Sequence, residues 1–579
     1  MSNKQRTINT CGRVAAFAIS AALALGPLAG CGAFPQPNTD AVNKPTTESA
    51  KTETTTAPTG GEVEYIADEG LSLTATEEGY WPGPDYNDVN YNTEEYAALD
   101  EGGFIATATR PLSTVSADVD TASWCNLRRM VNQGYRLPTD EDRKAAGEDV
   151  EKYGGDEDWY YEAHNVIPKG AVRIEEMLNY FDYGYQAPKG SEDFAISTQL
   201  GQCPWNDKTE LLTIGFATPA DDAAREKGVN LVFLIDVSGS MDDPEKLPLL
   251  QDSFVDLLEQ LGPDDTISIV TYASGEELVL DGVKASEQRE IMKAIYGLKA
   301  SGSTNGERGL ELAYEIAQKH FVEGGVNRIV MASDGDLNVG MTSESDLNDY
   351  VAKKRETGIY LSVLGFGSGN YKDTKMETLA DNGNGSYHYI DCEEEAKRVF
   401  GERLCANLVP FADDVKFQVE FNPAQIKAYR LIGYEDRVMA DEDFRNDAVD
   451  AGDVGPDAQF TAAYEIVRAD SDFEVATSDL KYQETKPTGS DEWLTCTLRY
   501  RSFADEDYHE QNVTVDKSNW KDAPGSDWNL QAAIIELGML MRDSEHKGTA
   551  SFDEIEALLK GVEKNDQVDG FKDVVNKLK

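Results

Sequence analysis

VNLVFLIDVSGS, residues 229–240, is the segment on which the fold turns. From Val229 to Ile235 it is apolar except at Asn230, the pattern of a strand buried on both faces beneath covering helices. It then breaks at Asp236 into a polar turn carrying Ser238, Gly239 and Ser240. Beyond the turn, Leu250, Phe254, Leu257, Leu258 and Leu261 recur at helical spacing. Thr266–Tyr272 reads as a second strand, and Ile291, Ile295 and Leu298 mark a second helix. The alternation continues: strand at Arg328–Ala332, helix at Leu347–Arg355, strand at Tyr360–Phe366, helix at Met376–Ala380, strand at Tyr387–Ile390, and a helix from Glu394 to about Ala406. Strands alternating with helices predict a doubly wound, Rossmann-like α/β domain over residues 228–408, its sheet mainly parallel.

The rhythm differs on either side. Val415, Phe417, Val419 and Phe421 alternate with Lys416, Gln418 and Glu420, and Leu494, Cys496, Leu498 and Tyr500 repeat the pattern, as half-buried antiparallel strands do. Two further strands read at Phe194–Leu200 and Leu211–Phe216. Residues 95–227 and 411–579 are therefore expected as an N-terminal region and a C-terminal β-rich region ending in helices (Trp528–Arg542, Ser551–Leu559, Phe571–Leu578). Their strands would form one sandwich into which the α/β domain is inserted.

In an open α/β sheet ligands bind outside the carboxyl ends of the strands. Three polar loops stand at such ends: Asp236 to Ser240, Ser301 to Gly306, and Ser333 to Asp336. Their donors are carboxylate and hydroxyl oxygens, the set preferred by hard cations such as Mg²⁺, with Mn²⁺ and Ca²⁺ as alternatives. Two carboxylates and three hydroxyls leave such an ion's coordination and charge unfinished, so a carboxylate from another protein would be attracted. A helix beginning just after Ser240 would favour that anion further. The D-x-S-x-S of Asp236, Ser238 and Ser240, with Thr304 and the Asp334-Gly335 pair, resembles the metal-ion-dependent adhesion site of von Willebrand factor A domains. That resemblance implies Asp236, Ser238, Ser240, Thr304 and Asp334 as the ligands, some through water. Residues 112–123 (LSTVSADVDTAS), 173–183 (RIEEMLNYFDY) and 429–434 (YRLIGY) are further similar to the YfbK-type bacterial lipoproteins, over most of 95–579. That family carries its von Willebrand factor A domain between an N-terminal conserved region and a C-terminal domain. Residues 139–170 depart from the pattern as an acidic insertion, with ten acids between Asp140 and Glu162, and read as a solvated surface element.

The N-terminus has the form of an export signal. Lys4, Arg6 and Arg13 precede an apolar stretch, Val14–Leu25, that is too short to span a bilayer. Leu28-Ala29-Gly30-Cys31 resembles the lipobox of bacterial lipoproteins, implying removal of residues 1–30, acylation of Cys31, and anchorage on the outer face of a bacterial membrane. Residues 31–62, with eight threonines and four prolines after Cys31, suit a flexible tether. The formal net charge of −53 repels phosphate backbones, and nucleic-acid binding is not expected. After the signal and the lipidated cysteine, Cys125, Cys203, Cys392, Cys405 and Cys496 remain, an odd set without zinc-site spacing. Cys392 and Cys405 are close enough in sequence to pair, and buried thiols are the alternative.

The leading expectation is a tethered binding protein that engages a protein partner's carboxylate through the metal. A metal-independent envelope scaffold is a second reading. A Mg²⁺-dependent hydrolase is a third: paired carboxylates beside a metal can support hydrolysis. Against it, the five histidines (His164, His320, His388, His509, His546) all lie outside the three loops, and no G-x-S-x-G or H-E-x-x-H motif occurs. Two imitations of metal motifs are read as structural. Asp118-Val-Asp120 lacks the adhesion-site spacing, and Asp334, Asp336 and Asn338 are followed by Gly340 and Glu344 out of EF-hand register.

Overall fold

The computed structural model describes residues 94–153, 158–190, 192–220, 226–303, 306–335, 344–369, 371–403, 409, 411–476, 488–503 and 507–579. The signal and tether (1–62), Cys31, Thr304, Asp336, Asn338, Gly340 and Cys405 lie outside them. Seventeen strands are numbered in chain order among the described residues, and helices are cited by their bounds.

The α/β domain is a six-stranded sheet in the order β10-β9-β8-β5-β6-β7. Its strands are β5 (Val229–Asp236), β6 (Thr266–Tyr272), β7 (Glu276–Lys284), β8 (Val326–Ser333), β9 (Tyr360–Phe366) and β10 (Tyr387–Ile390). All neighbours are parallel except β6 and β7. Every residue of β5 is buried because helices cover both faces. Leu231, Phe233 and Ile235 pack with Leu250, Phe254 and Leu257 of helix Leu247–Gln260 on one side. Val232 and Leu234 pack with Leu310, Ala313 and Ala317 of helix Glu307–Lys319 on the other. Side chains alternate across a strand, so an apolar run with no polar face is what two covered faces require. The edge strand β7 is an addition to the sequence reading. Its EELVLDGVK alternates weakly, and only Leu280 is fully buried, so it carries little strand periodicity.

The flanks interleave. One sheet runs β1-β12-β15-β4-β3, and the other β13-β2-β11-β16-β17 with β14 against β11. The strands preceding the α/β domain are β1 (Ile105–Ala106), β2 (Leu112–Ser116), β3 (Ala195–Gln202) and β4 (Glu210–Ala217). Those following it include β11 (Ala412–Phe421), β12 (Ile426–Ile432), β15 (Gln459–Arg468), β16 (Glu492–Ser502) and β17 (Tyr508–Asp516). The short β13 (Val438–Met439) and β14 (Gly452–Val454) complete the set. β2 pairs with β11, and β4 with β15, across the inserted domain. Phe216 stacks on Phe460 within one sheet and meets Phe417 of the other at 5.4 Å, and Phe421 stacks on Tyr429 across the sheets. The C-terminal helix Ser526–Met541 lies against helix Ile174–Tyr180, where Gly538 gives way to Ile174 and Met177. Trp124 of helix Ala122–Asn132 stacks on Phe571 of the last helix, Asp566–Leu578.

The acidic insertion carries helices Asp140–Tyr153 and Asp158–Ala163. Ala146, Tyr161 and Val166 form a small core of its own, and Arg143 ties it to Asp543 at 2.7 Å. Cys125, Cys203, Cys392 and Cys496 are free thiols. No helix among the described residues is long and apolar enough to cross a membrane.

Candidate metal-binding site

The sheet order fixes where a ligand can sit. From β5 the chain moves to β6 on one side and later to β8 on the other, which opens a crevice at the carboxyl ends of β5 and β8. Ile235 lies opposite Ala332, so Asp236 is level with Ser333 and Asp334 stands one residue beyond. On the other side Asp236 is level with Tyr272.

Both carboxylates are fully buried. Asp236 Oδ1 accepts from the Ser238 amide at 2.8 Å, and its Oδ2 from the Ser333 hydroxyl at 3.2 Å. Burial pushes the Asp236 carboxyl up to about 6, and the Asp334 charge adds to the push against the hydrogen bonds from Ser238 and Ser333. Ser238 Oγ lies 3.0 Å from Ser240 Oγ, so both hydroxyls meet above Asp236. The Ser333 hydroxyl accepts from the Gly335 amide at 3.1 Å and so shapes the turn that carries Asp334. Gly335 has φ +94°, and a Cβ there would strike the backbone of Tyr371 and Lys372, so the turn requires glycine.

The middle loop is sewn to the first. The Gly239 amide donates to the Gly302 carbonyl at 3.0 Å, and the Ser301 amide to the Val237 carbonyl at 2.7 Å. The segment leading into Thr304 is thereby fixed beside Ser238 and Ser240, while Thr304 itself is outside the described residues. Of the five sequence-derived candidates, Asp236, Ser238, Ser240 and Asp334 come together at this crevice.

Two features differ from the sequence reading. The chain after Ser240 makes only a short 3-10 turn, Gly239–Met241, and the helix begins at Leu247. Pro248 is confined to a first turn, and Pro244 disfavours helical backbone at Asp243, which together keep a helix from running on directly after Ser240. The helix N-terminus is thus not adjacent to Ser240. The second feature is Lys246, whose Nζ lies 2.9 Å from Asp334 Oδ2, with both side chains buried. Nothing in a search by ligand type would find it, because an ammonium is no metal ligand.

The donor set fits a hard divalent cation in type: two buried carboxylates, and two hydroxyls within reach of one another. Among the described residues, no group of three or more histidine, cysteine or carboxylate side chains forms a metal site, and this one has only two carboxylates. The Asp118–Asp120 imitation serves docking: Asp120 Oδ1 accepts from the Tyr387 amide at 2.9 Å, joining the flank to the start of β10.

Residues 230–402 match the model for the von Willebrand factor type A domain. Residues 406–578 match the model for the C-terminal region of the uncharacterized protein YfbK, and residues 90–144 and 160–213 a von Willebrand factor model. The gap at 145–159 falls within the acidic insertion. The chain is 37% identical over 478 residues to the uncharacterized protein YfbK of Escherichia coli, which covers 81% of this chain and 77% of that one. It is 27% identical over 163 residues to human inter-alpha-trypsin inhibitor heavy chain H4, covering 27% of this chain and 17% of that one. A solved von Willebrand factor type A protein from Catenulispora acidiphila aligns with 15% identity and a TM-score of 0.37, over 69% of this chain and 98% of that one.

Proposed function

The chain belongs to the YfbK family, with a von Willebrand factor type A domain at its centre, and from that premise we propose that it is a cell-envelope binding protein that engages a protein partner through a divalent cation. Asp236, Ser238, Ser240, Thr304 and Asp334 would hold the ion, Mg²⁺ before Mn²⁺ or Ca²⁺. When bound, such an ion supplies an open, under-neutralised position for an Asp or Glu carboxylate of the partner. The observation that carries the reading is the convergence of two buried carboxylates and two hydroxyls at the switch point of the sheet. Asp236 and Asp334 repel one another there, and a cation relieves that repulsion.

Calorimetric titration of Mg²⁺, Mn²⁺ and Ca²⁺ into the full chain tests the site, with Asp236→Ala as the baseline for loose binding to the acidic surface. A single site present only in the unsubstituted chain is the expected result, and identical curves would refute it. Excess EDTA should then release the captured partner, and capture that survives chelation would count against the metal bridge. The Lys246–Asp334 pair favours the competing metal-independent scaffold, because it neutralises one carboxylate without an ion.

Anchorage at Cys31 belongs to the same proposal: acylation would hold the chain on the outer face of a membrane, with residues 31–62 as tether. Cys31→Ala should move the protein from the membrane to the soluble fraction, and lipid labelling that persists in the variant would refute the assignment.

A further inference from the structure

Lys246 and Lys416 are the lysines fully buried among the described residues. Lys416 is paired with Asp414 away from the crevice, whereas Lys246 enters it. Its backbone is held from both sides: its amide donates to the Asp243 carbonyl at 3.0 Å, and its carbonyl accepts the first helical bond, from Leu250, at 3.0 Å. Its aliphatic stem runs over Gly367, just past the end of β9, where any Cβ would overlap the lysine chain. Gly367 has φ +72°, and its carbonyl accepts from the Tyr389 hydroxyl, which fixes the notch. An exposed rim lysine would need no such channel. Here the ends of β8 and β9 and a helix start are arranged around one lysine.

The charges at the crevice explain the arrangement. Asp236 is engaged by internal hydroxyl and amide donors, which are neutral, and Lys246 is the cation paired with Asp334. Two carboxylates and one ammonium leave a formal charge of about −1, tolerable in a buried site where two unpaired carboxylates would not be. A divalent cation arriving with the ammonium still in contact would turn that to about +1 and force two cations together.

We propose that Lys246 is a built-in counter-cation of the adhesion-type site, holding the metal-free crevice together through Asp334 and leaving that carboxylate when a divalent ion enters. The inference rests on the metal reading of the previous subsection and adds its regulation: metal affinity is set by a competition inside the protein. Without Lys246 the site would bind metal more tightly but would be less stable when empty. With it, the site loads only where divalent ions are plentiful, and it need not unfold when they are scarce.

The test compares the full chain with Lys246→Met and Lys246→Gln. Mg²⁺ affinity is measured by calorimetry, and thermal midpoints are measured in EDTA and in saturating Mg²⁺. Lys246→Met should bind Mg²⁺ at least about tenfold more tightly, because a neighbouring positive charge has been removed from a low-dielectric site. Its midpoint in EDTA should fall, and the deficit should shrink in saturating Mg²⁺. Should Lys246→Met fail to fold, Lys246→Gln, which keeps a donor to Asp334 without the charge, decides by the same affinity gain. Equal affinity in the unsubstituted chain and the foldable variant overturns the role of Lys246 and leaves the metal site standing. Binding by neither chain above the Asp236→Ala baseline overturns the metal site itself, and this inference with it.

Discussion

Arg173→Met is expected to cost about 3–5 kcal/mol of stability, the range for removing one partner from a buried ionic cluster. Arg173 is fully buried, yet it faces Glu176 at 3.0 Å and both Asp373 and Glu377 at 2.6 Å. Glu176 belongs to the flank, whereas Asp373 and Glu377 belong to helix Asp373–Asn382 of the α/β domain, so one guanidinium clamps the inserted domain to its host. Arg437 adds a second tie to the same helix, through Glu377 and Asp381. Lysine should not rescue the loss, because one ammonium cannot replace a planar fork that serves these three carboxylates and has Asp436 at 3.8 Å as a fourth. The deficit should also depend on pH. Burial already raises the Glu176 carboxyl to about 7 and lifts that of Glu377 well above its usual range, with Arg173 opposing both shifts. Without the arginine both folded-state values rise further above their unfolded ones, so the variant gains stability as protons are taken up on acidification and loses it as pH rises. Urea denaturation at pH 8 and pH 5.5 measures this. A deficit below 1 kcal/mol, or one that grows at the lower pH, would show that the cluster does not hold the domains together.

This cluster also explains which parts of the molecule were legible in the sequence. β5 and β8 could be read because both faces are covered, and a doubly buried strand leaves an unbroken apolar run. The ligand loops could be read because strand ends position ligands, and the residue types name the chemistry. The RIEEMLNY segment, 173–180, signalled family resemblance without a reason. The reason is tertiary: Arg173 finds Asp373 200 residues away, Glu176 accepts from the Ser123 amide 53 residues back, and Glu175 packs under Gly433 of the YRLIGY segment. The delayed start of helix Leu247–Gln260 was written in Pro244 and Pro248, whose restraints outweigh the apolar spacing that begins nearby. Lys246 was invisible because its role depends on a notch at Gly367, which no local pattern records. Pairing of the flanking strands across the inserted domain could be supposed from their alternation, but its register could not, since β2 and β11 lie about 300 residues apart.

Asp236→Asn should abolish specific metal binding and, in EDTA at pH 7, make the protein more stable than the unsubstituted chain. Asparagine keeps the shape and can still accept from the Ser238 amide, while the Ser333 hydroxyl can turn to accept from its new amide group. What it removes is a buried charge. The Asp236 carboxyl is raised to about 6 in the folded state, against an ordinary value near 4 when unfolded. Folding therefore takes up a proton between those values: the metal-free chain gains stability as pH falls from 6 toward 4 and gives it up as pH rises through 6. Above that window the ionised form costs about 2–3 kcal/mol, at roughly 1.4 kcal/mol per unit of pKa. Relief of that cost should raise the thermal midpoint of the asparagine variant by several degrees at pH 7 and by little at pH 4. Glu210 and Glu536 are also raised, but they are common to both chains, so the difference between the chains isolates Asp236. Saturating Mg²⁺ should reverse the order, because only the chain with Asp236 gains from the ion. A carboxylate kept at this expense, where a neutral isostere would be more stable, is what a site retained for its ligand looks like. Equal stability of the two chains in EDTA at pH 7, with no gain for either in Mg²⁺, would instead make Asp236 an ordinary buried residue of the sheet end.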